Sequence, residues 1–301
     1  MTEIQRQIRA LAAQKGALIL SHFYQTMDIQ AVADVVGDSF ELARRARQAA
    51  QPIIVLCGVR FMAESAKLLN PDKTVLLPAP DAGCPMADMV APEDVDALRE
   101  KHPGAAVMCY VNSSAAVKAK SDVCCTSSSA VRIARALPQR DILFLPDQNL
   151  GAYVAAQVPE KNLILFDGYC PIHHAVRPAD VLAARAAHPD ARVVVHPECR
   201  PDVVALADFV GSTAELLAHV ENSPPGGIFV VGTETGVVER LRQTAPDKTV
   251  YLLKAGFVCP NMKKTRLSDL LRALETGAEA VEVDATVAAG AQRALERMVA
   301  L

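Results

Sequence analysis

Tryptophan is absent from this chain, and aromatic residues make up only 4% of it. A hydrophobic core must therefore be built mainly from Ala, Val, Leu and Ile. The first 25 residues contain one short apolar run, Ala17 to Leu20, which is too brief for a signal peptide or a membrane span. A formal net charge of −3 provides no basic excess for binding nucleic acid or an anionic membrane. These absences favour a globular protein of the cytoplasm.

Cysteine, in contrast, occurs eight times. In a cytoplasmic chain of this length, reduced thiols are expected rather than a disulfide framework. No pair has the C-x2-C spacing that is typical of structural zinc sites. Five cysteines recur at no equivalent position elsewhere in the chain, and we expect them to be packing residues: Cys57, Cys109, Cys124, Cys125 and Cys199.

The other three cysteines each end a similar segment. Residues 71–75 read Pro-Asp-Lys-Thr-Val, residues 159–163 read Pro-Glu-Lys-Asn-Leu, and residues 246–250 again read Pro-Asp-Lys-Thr-Val. Each segment leads to a Cys-Pro pair, at Cys84, Cys170 and Cys259, with steps of 86 and 89 residues. Repeats at a fixed period indicate a repeated structural unit. The sequence therefore predicts three homologous blocks, each ending in one cysteine.

Polar residues recur in the same phase. His22, Tyr110 and His196 each follow an apolar, strand-like run, with Tyr24, Asn112 and Glu198 two residues later. An aspartate occurs at positions 34, 122 and 208 of the three blocks, and we expect a structural role for it. Five residues after it comes a hydroxyl, at Ser39, Ser127 and Thr213. These hydroxyls also stand before predicted helices, so helix capping is an equal alternative to ligand binding at each position.

The alternation of short apolar runs with helical segments predicts parallel sheets covered by helices. One large doubly wound sheet is possible, but the recurrence favours three homologous three-layer α/β/α domains around a pseudo-threefold axis. The expected bounds are 1–87 with 262–301 for the first domain, whose C-terminal helices pack back on it, 88–173 for the second, and 174–261 for the third. Ligands of such sheets gather at the carboxyl ends of the strands. We therefore expect the recurring side chains to converge on one cleft at the domain junction.

Three distant thiolates at one point suit a 4Fe-4S cluster better than a zinc ion. Each thiolate can hold one iron, which leaves the fourth iron open as a Lewis acid. His22, Tyr24, Tyr110, His196 and Glu198 add acid–base groups to the same cleft. His173, His174, Arg60 and the pair Lys263–Lys264 are weaker candidates, expected at the surface or in supporting positions.

Several longer strings make the chain resemble the quinolinate synthase family, also called the quinolinate synthase A protein family. They include His-Phe-Tyr-Gln at 22–25, Gly-Asp-Ser at 37–39, Tyr-Val-Asn at 110–112, Pro-Asp-Gln-Asn-Leu-Gly at 146–151, His-Pro-Glu-Cys at 196–199 and Asn-Met-Lys-Lys-Thr at 261–265. These strings occur in order across nearly the whole chain.

The resemblance implies an enzyme of NAD biosynthesis, a transferase that condenses iminosuccinate (iminoaspartate) with dihydroxyacetone phosphate. The products are quinolinate, phosphate and two waters. It implies three α/β/α domains and a 4Fe-4S cluster ligated by Cys84, Cys170 and Cys259. By position, Tyr24, His196 and Glu198 would be catalytic, and the substrate contacts would be His22, Ser39, Tyr110, Asn112, Ser127, His196, Glu198 and Thr213. An L-aspartate oxidase or aspartate dehydrogenase would supply the imine, and no nucleic acid or membrane partner is implied.

Two other functions are compatible with an iron–sulfur centre. One is another iron–sulfur hydro-lyase that acts on a hydroxy acid, and it is distinguished by whether triose phosphate is consumed. The other is a sensor without turnover, which should present a DNA-binding helix pair or a basic surface. Neither feature is visible in the sequence, and a sensor leaves the recurring His, Tyr and Ser positions unexplained.

Overall fold

The computed structural model describes residues 1–301 as three successive runs of alternating helices and strands. The first run comprises α1 (Glu3–Lys15), β1 (Ala17–His22), α2 (Met27–Gln30), β2 (Val35–Gly37), α3 (Ser39–Gln48), β3 (Ile53–Cys57), α4 (Arg60–Leu68) and β4 (Thr74–Leu76). The second comprises α5 (Pro92–Lys101), β5 (Ala106–Tyr110), α6 (Ala115–Ala119), β6 (Val123–Cys125), α7 (Ala130–Ala136), β7 (Asp141–Leu145), α8 (Gln148–Gln157) and β8 (Asn162–Leu165). The third comprises α9 (Pro171–His174), α10 (Pro178–Ala187), β9 (Arg192–Val195), α11 (Pro201–Val204), β10 (Phe209–Val210), α12 (Thr213–Glu221), β11 (Ile228–Gly232), α13 (Thr235–Thr244) and β12 (Thr249–Leu252). Two further helices follow, α14 (Leu267–Thr276) and α15 (Ala285–Ala300).

Each run forms its own four-stranded sheet, and the three sheets have equivalent strand orders. The orders are β2-β1-β3-β4, β6-β5-β7-β8 and β10-β9-β11-β12, and all pairings within them are parallel. Parallel pairing requires a crossover after each strand, which the intervening helices provide. The predicted α/β fold with three sheets is therefore confirmed, and the alternative of one large sheet is wrong.

The central strands are buried on both faces, as expected of parallel strands covered by helices. In β5 every residue from Ala106 to Tyr110 is buried, and β9 is buried from Val193 onwards. Apolar residues from the first and second runs share one large core, and smaller cores lie within each run. Small aliphatic side chains fill these cores, in keeping with the low aromatic content.

The aspartate that recurs in each run braces the edge of its sheet. One carboxylate oxygen of Asp34 accepts the backbone N–H of Ile19 at 2.8 Å, and Asp34 also pairs with Arg9 at 2.7 Å. The same arrangement recurs for Asp122 with Val107 and Arg99, and for Asp208 with Val193 and Arg185. The structural role predicted for these aspartates is confirmed, and the arginines that complete the arrangement are a further repeated feature.

Replacing Asp122 with Ala should destabilise the protein without changing its site. The substitution leaves the N–H of the fully buried Val107 without its side-chain acceptor, and an unmade buried hydrogen bond costs about 1–3 kcal/mol. The free energy of unfolding in urea should fall by that amount. The exposed Asp72→Ala is the matched control and should change it by less than about 0.5 kcal/mol. An equal effect of the two substitutions would contradict the bracing role.

The two C-terminal helices lie against different sheets. Helix α14 packs on α1 and β3 of the first sheet, whereas α15 packs on α6 and β6 of the second sheet and on α4 of the first. Gly290 of α15 approaches α6 so closely that an added Cβ would lie 2.6 Å from the carbonyl oxygen of Ala119. The domain bounds given above stay a prediction. Helices long and apolar enough to span a membrane are absent.

Candidate active site

One cavity of about 280 Å³ lies where the carboxyl ends of the three sheets meet. His22 ends β1, Tyr110 ends β5 and His196 directly follows β9, so that the first recurring position of each run faces the same space. All twelve residues singled out by the repeat and the resemblance line this cavity: His22, Tyr24, Ser39, Cys84, Tyr110, Asn112, Ser127, Cys170, His196, Glu198, Thr213 and Cys259. Their individual roles stay predictions.

The three repeated cysteines reach the cavity from the loops that follow the fourth strand of each sheet. Burial, with a smaller contribution from the neighbouring thiol of Cys259, raises the pKa of Cys84 to about 12. Burial also raises the pKa of Cys170, with a further contribution from Cys84. Ionised Cys84 would therefore repel an ionised Cys259 and an ionised Cys170. Three neighbouring thiolates require a cation to hold them together.

Each of these thiols also has backbone donors in the turn that follows it. The backbone N–H groups of Ala87, His173 and Met262, each three residues after its cysteine, lower the pKa of the thiol and so favour its ionised form. A turn that offers N–H groups to sulfur is suited to a thiolate that ligates metal. The donor set of three cysteines therefore fits an iron–sulfur cluster with one iron that lacks a protein ligand.

His22 and His196 occupy equivalent positions and make the same local contact. The Nδ1 atom of His22 accepts the backbone N–H of Tyr24 at 3.1 Å, and the Nδ1 atom of His196 accepts that of Glu198 at 3.2 Å. Burial lowers the pKa of His22 to about 3 and that of His196 to about 4, although Glu198 opposes both shifts. Both rings are therefore neutral near pH 7, with the proton on Nε2. They can each donate one hydrogen bond to an oxygen atom in the cavity.

A chain of hydrogen bonds links Tyr24 with Glu198. The hydroxyl of Tyr24 lies 2.8 Å from Oγ1 of Thr233, and that atom lies 3.0 Å from Nε2 of His173. Nδ1 of His173 in turn lies 2.9 Å from Oε2 of Glu198. Thr233, His173 and Glu198 are buried and Tyr24 is half-buried, and neutral imidazole can pass a proton between its two nitrogen atoms.

Glu198 is the charged centre of this chain. Its Oε1 accepts the hydroxyl of Tyr110 at 2.6 Å. Burial acts to raise the pKa of Glu198, but the rings of His173 and His196 and the hydrogen bond from Tyr110 outweigh burial and hold this pKa well below its usual range. Burial and the charge of Glu198 raise the pKa of Tyr24 and of Tyr110 well above the ordinary tyrosine value. The twelve predicted residues therefore include one carboxylate and two protonated phenols, and the carboxyl groups of Asp38 and Glu234 also line the cavity.

Near one end of the cavity, Cys170, His173 and Glu198 place three possible metal ligands within 4.8 Å of one another. Nδ1 of His173 lies 3.2 Å from the sulfur of Cys170 as well as 2.9 Å from Glu198. The imidazole is thus already hydrogen-bonded to both neighbours. Its position suits a donor to the thiolate and to the carboxylate, which orients both of them.

The three recurring hydroxyls are not the capping residues of their helices. Asp38 and Ser212 cap α3 and α12, while Ser39 and Thr213 occupy the first helical positions. Ser129 stands at the N-cap position of α7, two residues beyond Ser127. Helix capping, the alternative left open for these hydroxyls, is therefore wrong. Asp38 and Ser212 accept the cap hydrogen bonds of α3 and α12, and no side chain makes a cap hydrogen bond on α7. Residues 39, 127 and 213 are consequently left to face the cavity.

Asn112 provides the clearest sign of a missing partner. Its side-chain Oδ1 is buried and has no hydrogen-bond partner, although the residue lines the cavity. A buried polar atom without a partner is costly unless a ligand or water satisfies it. A donor group of a bound molecule is therefore expected at this position.

The other five cysteines lie away from the cavity. Each is buried among apolar side chains, and Cys124 and Cys125 belong to β6 within the largest core. Burial is the largest cause that raises the pKa of all five thiols. Their expected role as packing residues agrees with these positions.

Three residues of the site were missed or underrated by the sequence reasoning: His173, Thr233 and Lys263. His173 was expected at the surface or in support, yet it is 1% exposed and contacts Cys170, Glu198 and Thr233. Each of these residues occurs in only one of the three runs, so recurrence could not reveal it. The spacing of His173, three residues after Cys170, was the only available signal.

The depressed pKa of His22 should make stability depend on pH. Between pH 6.5 and 3, His22 is protonated in the unfolded chain but stays neutral in the folded protein. The free energy of unfolding therefore falls as the pH drops through this range, and His22 does not change it above pH 6.5. The slope from one such histidine is at most about 1.4 kcal/mol per pH unit. Urea unfolding between pH 4.5 and 7 should show a smaller loss for His22→Gln than for the parent. His188→Gln, outside the cavity, should keep the parental slope, and identical slopes for all three proteins would contradict the assignment.

Comparison with known proteins agrees with this geometry. The family model described as quinolinate synthetase A protein matches residues 6–300. A protein named quinolinate synthase from Caldicellulosiruptor saccharolyticus is 50% identical over 299 residues, which cover 99% of this chain and 98% of that protein.

The chain belongs to the quinolinate synthetase A family. Proteins named quinolinate synthase from Methanoregula boonei and Geobacter metallireducens are each 49% identical to it, with 99% of this chain and 98% and 97% of the relatives covered. The family resemblance read from the sequence motifs is thereby confirmed.

Proposed function

We propose that this protein is a quinolinate synthase, which condenses iminosuccinate with dihydroxyacetone phosphate and releases phosphate and two waters. The observation that carries the proposal is the convergence of all twelve predicted residues on one cavity in a chain of this family. The residues that line the cavity include three thiols, three imidazoles, three carboxyl groups, two phenols, two amides and four hydroxyl side chains. Such a set suits a small, multiply charged substrate that must lose water.

The proposed cofactor is a 4Fe-4S cluster held by Cys84, Cys170 and Cys259. When bound, it supplies an open iron that acts as a Lewis acid towards carboxylate, hydroxyl or imine groups. The support is the set of three thiols that line one cavity, each with backbone donors in the following turn. His173, close to the sulfur of Cys170, would orient that thiolate.

The polar side chains would hold the substrates by their oxygen atoms. The Nε2–H groups of His22 and His196 can donate to carboxylates, as can the hydroxyls of Ser39, Ser127 and Thr213. Ser39 and Thr213 also stand in the first turn of α3 and α12, where free backbone N–H groups favour an anion. The phosphate of the triose would bind to such donors, and a donor group of the substrate would satisfy Oδ1 of Asn112.

Proton transfer is assigned to the chain from Tyr24 to Glu198. Tyr24, protonated in the resting site, would donate its proton to a departing hydroxyl, or would accept a proton from a carbon next to a carbonyl group while its own proton passes to Thr233. Thr233 and His173 would carry the compensating proton between Tyr24 and the carboxylate of Glu198. His196 and Tyr110, both beside Glu198, would stabilise its charge during these steps. General acid–base groups of this kind contribute about 10²–10⁴-fold each.

Two further assignments accompany the proposed reaction. An imine of a dicarboxylic acid hydrolyses readily in water, so an enzyme that oxidises L-aspartate, an oxidase or a dehydrogenase, must supply it nearby. The proposed location is the cytoplasm, together with such an enzyme.

The proposal is tested by an anaerobic assay of protein reconstituted with iron and sulfide. Iminosuccinate, formed in the assay from L-aspartate by an oxidase, and dihydroxyacetone phosphate are supplied together or singly. Quinolinate and phosphate should appear in equal amounts, and only when both substrates are present. Turnover of a hydroxy acid without triose phosphate would instead indicate another hydro-lyase, and a cluster without any turnover would indicate a sensor.

A further inference from the structure

An ion pair between the buried Glu234 and the half-buried Lys263 joins two parts of the site that the proposed steps leave unconnected. Glu234 is fully buried at the N-cap position of α13, and Nζ of Lys263 lies 3.0 Å from its Oε1 and 3.2 Å from its Oε2. Burying two charges is unfavourable unless their remaining hydrogen-bonding capacity is used. Both partners make further contacts, and these contacts show what the pair holds in place.

The carboxylate of Glu234 holds the loop of the third cysteine. Its Oε1 accepts the backbone N–H of Cys259 at 3.3 Å, while its Oε2 accepts the N–H of Gly236 at 2.7 Å. The loop is thereby tied to the first turn of α13. That helix starts directly after β11, a central strand of the third sheet.

The ammonium group of Lys263 holds the segment of Tyr24. Its Nζ donates to the backbone carbonyl oxygen of Tyr24 at 2.6 Å. Lys263 itself follows Cys259 by four residues, so one short loop carries both a thiol of the site and the cation that fixes Tyr24. The neighbouring Lys264 differs, because it pairs with the exposed Asp81 at the surface.

Gly236 supplies independent evidence that this arrangement is tightly packed. A Cβ at position 236 would lie 2.7 Å from the carbonyl oxygen of Phe23, 2.9 Å from Oε2 of Glu234 and 3.2 Å from Nζ of Lys263. Any side chain there would displace the backbone beside Tyr24 or separate the ion pair. The space beside the ion pair of Glu234 and Lys263 therefore admits only glycine at position 236 without rearrangement.

We propose that Glu234 and Lys263 are positioning residues that fix the backbone of Cys259 relative to Tyr24. The contact with Cys259 would hold one thiol in reach of its iron, and the contact with Tyr24 would aim the phenol at the substrate. The link to turnover rests on the proposed function, whereas the mechanical link between the two segments does not. Neither residue donates or accepts a proton in the reaction.

The first test measures thiol exposure in the cluster-free, full-length chain. Iodoacetamide labelling followed by mass spectrometry gives separate rates for Cys259, Cys84 and the buried Cys57, which does not line the cavity. Glu234→Gln and Lys263→Met should each raise the labelling rate of Cys259 about tenfold or more, because a broken buried pair frees the loop for local opening. The rates of Cys84 and Cys57 should stay within about twofold of the parent.

Lys248→Met is the matched control, since Lys248 forms an ion pair with Asp247 in the same run but away from the cavity. It should leave the labelling of Cys259 unchanged. An unchanged rate in Glu234→Gln, or equal increases at Cys84 and Cys259, would overturn the proposal. If Glu234→Gln also raises the labelling rate of Cys57, that variant has unfolded. The labelling rate of Cys259 in Gly236→Ala then tests the proposal instead. That variant keeps both charges and should still expose Cys259 selectively, and failure to do so would overturn the proposal.

The second test uses the cluster-loaded protein. Release of iron to a chelator should be about tenfold faster in Glu234→Gln and Lys263→Met than in the parent and in Lys248→Met. In the quinolinate assay, kcat should fall about tenfold while KM changes by less than about threefold, since Tyr24 is misplaced but the substrate contacts remain. Lys263→Arg, which keeps the positive charge, should partly restore both the slow release of iron and the parental kcat. If no variant or parent makes quinolinate, the proposed function fails, and the labelling and iron-release results still decide the role of the pair.

Discussion

Cys84→Ser, Cys170→Ser and Cys259→Ser should each be isolated without an intact cluster and should lose quinolinate formation by about 10³-fold or more. A serine hydroxyl is a far weaker iron ligand than a thiolate, and only three protein thiols meet in the cavity. Loss of any one leaves two irons without a protein ligand. Iron and sulfide counting after anaerobic reconstitution, together with the assay, measures both effects.

The matched control for the cysteine variants is Cys57→Ala. Cys57 ends β3 within a small core next to the site and is fully buried, but it does not line the cavity. The substitution should cost about 1–2 kcal/mol of stability by removing a buried sulfur atom, with full iron content and near-parental turnover. Full iron content in any of the three serine variants would refute the ligand assignment.

Tyr24→Phe and Glu198→Gln should lower kcat by about 10²–10⁴-fold while the cluster stays intact. The first removes the hydroxyl that would exchange a proton with the substrate, and the second removes the charge at the far end of the chain through Thr233 and His173. Because both residues act through one chain, the double variant should be little worse than the more damaging single variant. Additive losses would contradict a shared path.

Tyr153→Phe is the control for the loss of a phenol. Tyr153 lies on α8 and does not line the cavity, so this variant should keep parental kcat. Absorbance of the cluster and the iron content should be the same in all four proteins. Parental turnover in both Tyr24→Phe and Glu198→Gln, with an intact cluster, would show that the proton-transfer roles are wrong.

The sequence was most informative where three copies of one signal could be compared. Apolar strands, the bracing aspartates and the cysteine loops each recur, so three parallel sheets could be predicted although each strand has only two to six residues. A parallel strand that is buried on both faces lacks the alternation of apolar and polar residues by which a single strand can be recognised in a sequence. Their recurrence in phase made up for that weakness.

Sequence reasoning failed for residues that occur in only one of the three runs, and where either of two adjacent residues could cap a helix. His173 and Thr233 occur in one run, and only the packed structure brings them between Tyr24 and Glu198. At Asp38–Ser39 and Ser212–Thr213, two adjacent residues are both able to cap a helix, and local sequence does not decide between them. The docking of α15 on α6 likewise depends on the close approach of Gly290, which a sequence pattern does not reveal.

Mössbauer spectroscopy of protein reconstituted anaerobically with ⁵⁷Fe tests the central claim most directly, since it distinguishes iron sites by their ligands. We expect a 4Fe-4S cluster with three thiolate-ligated irons and one distinct site, whose signal shifts when a dicarboxylate substrate is added. A single mononuclear iron site, four equivalent thiolate-ligated irons, or a distinct site that is indifferent to substrate would contradict it.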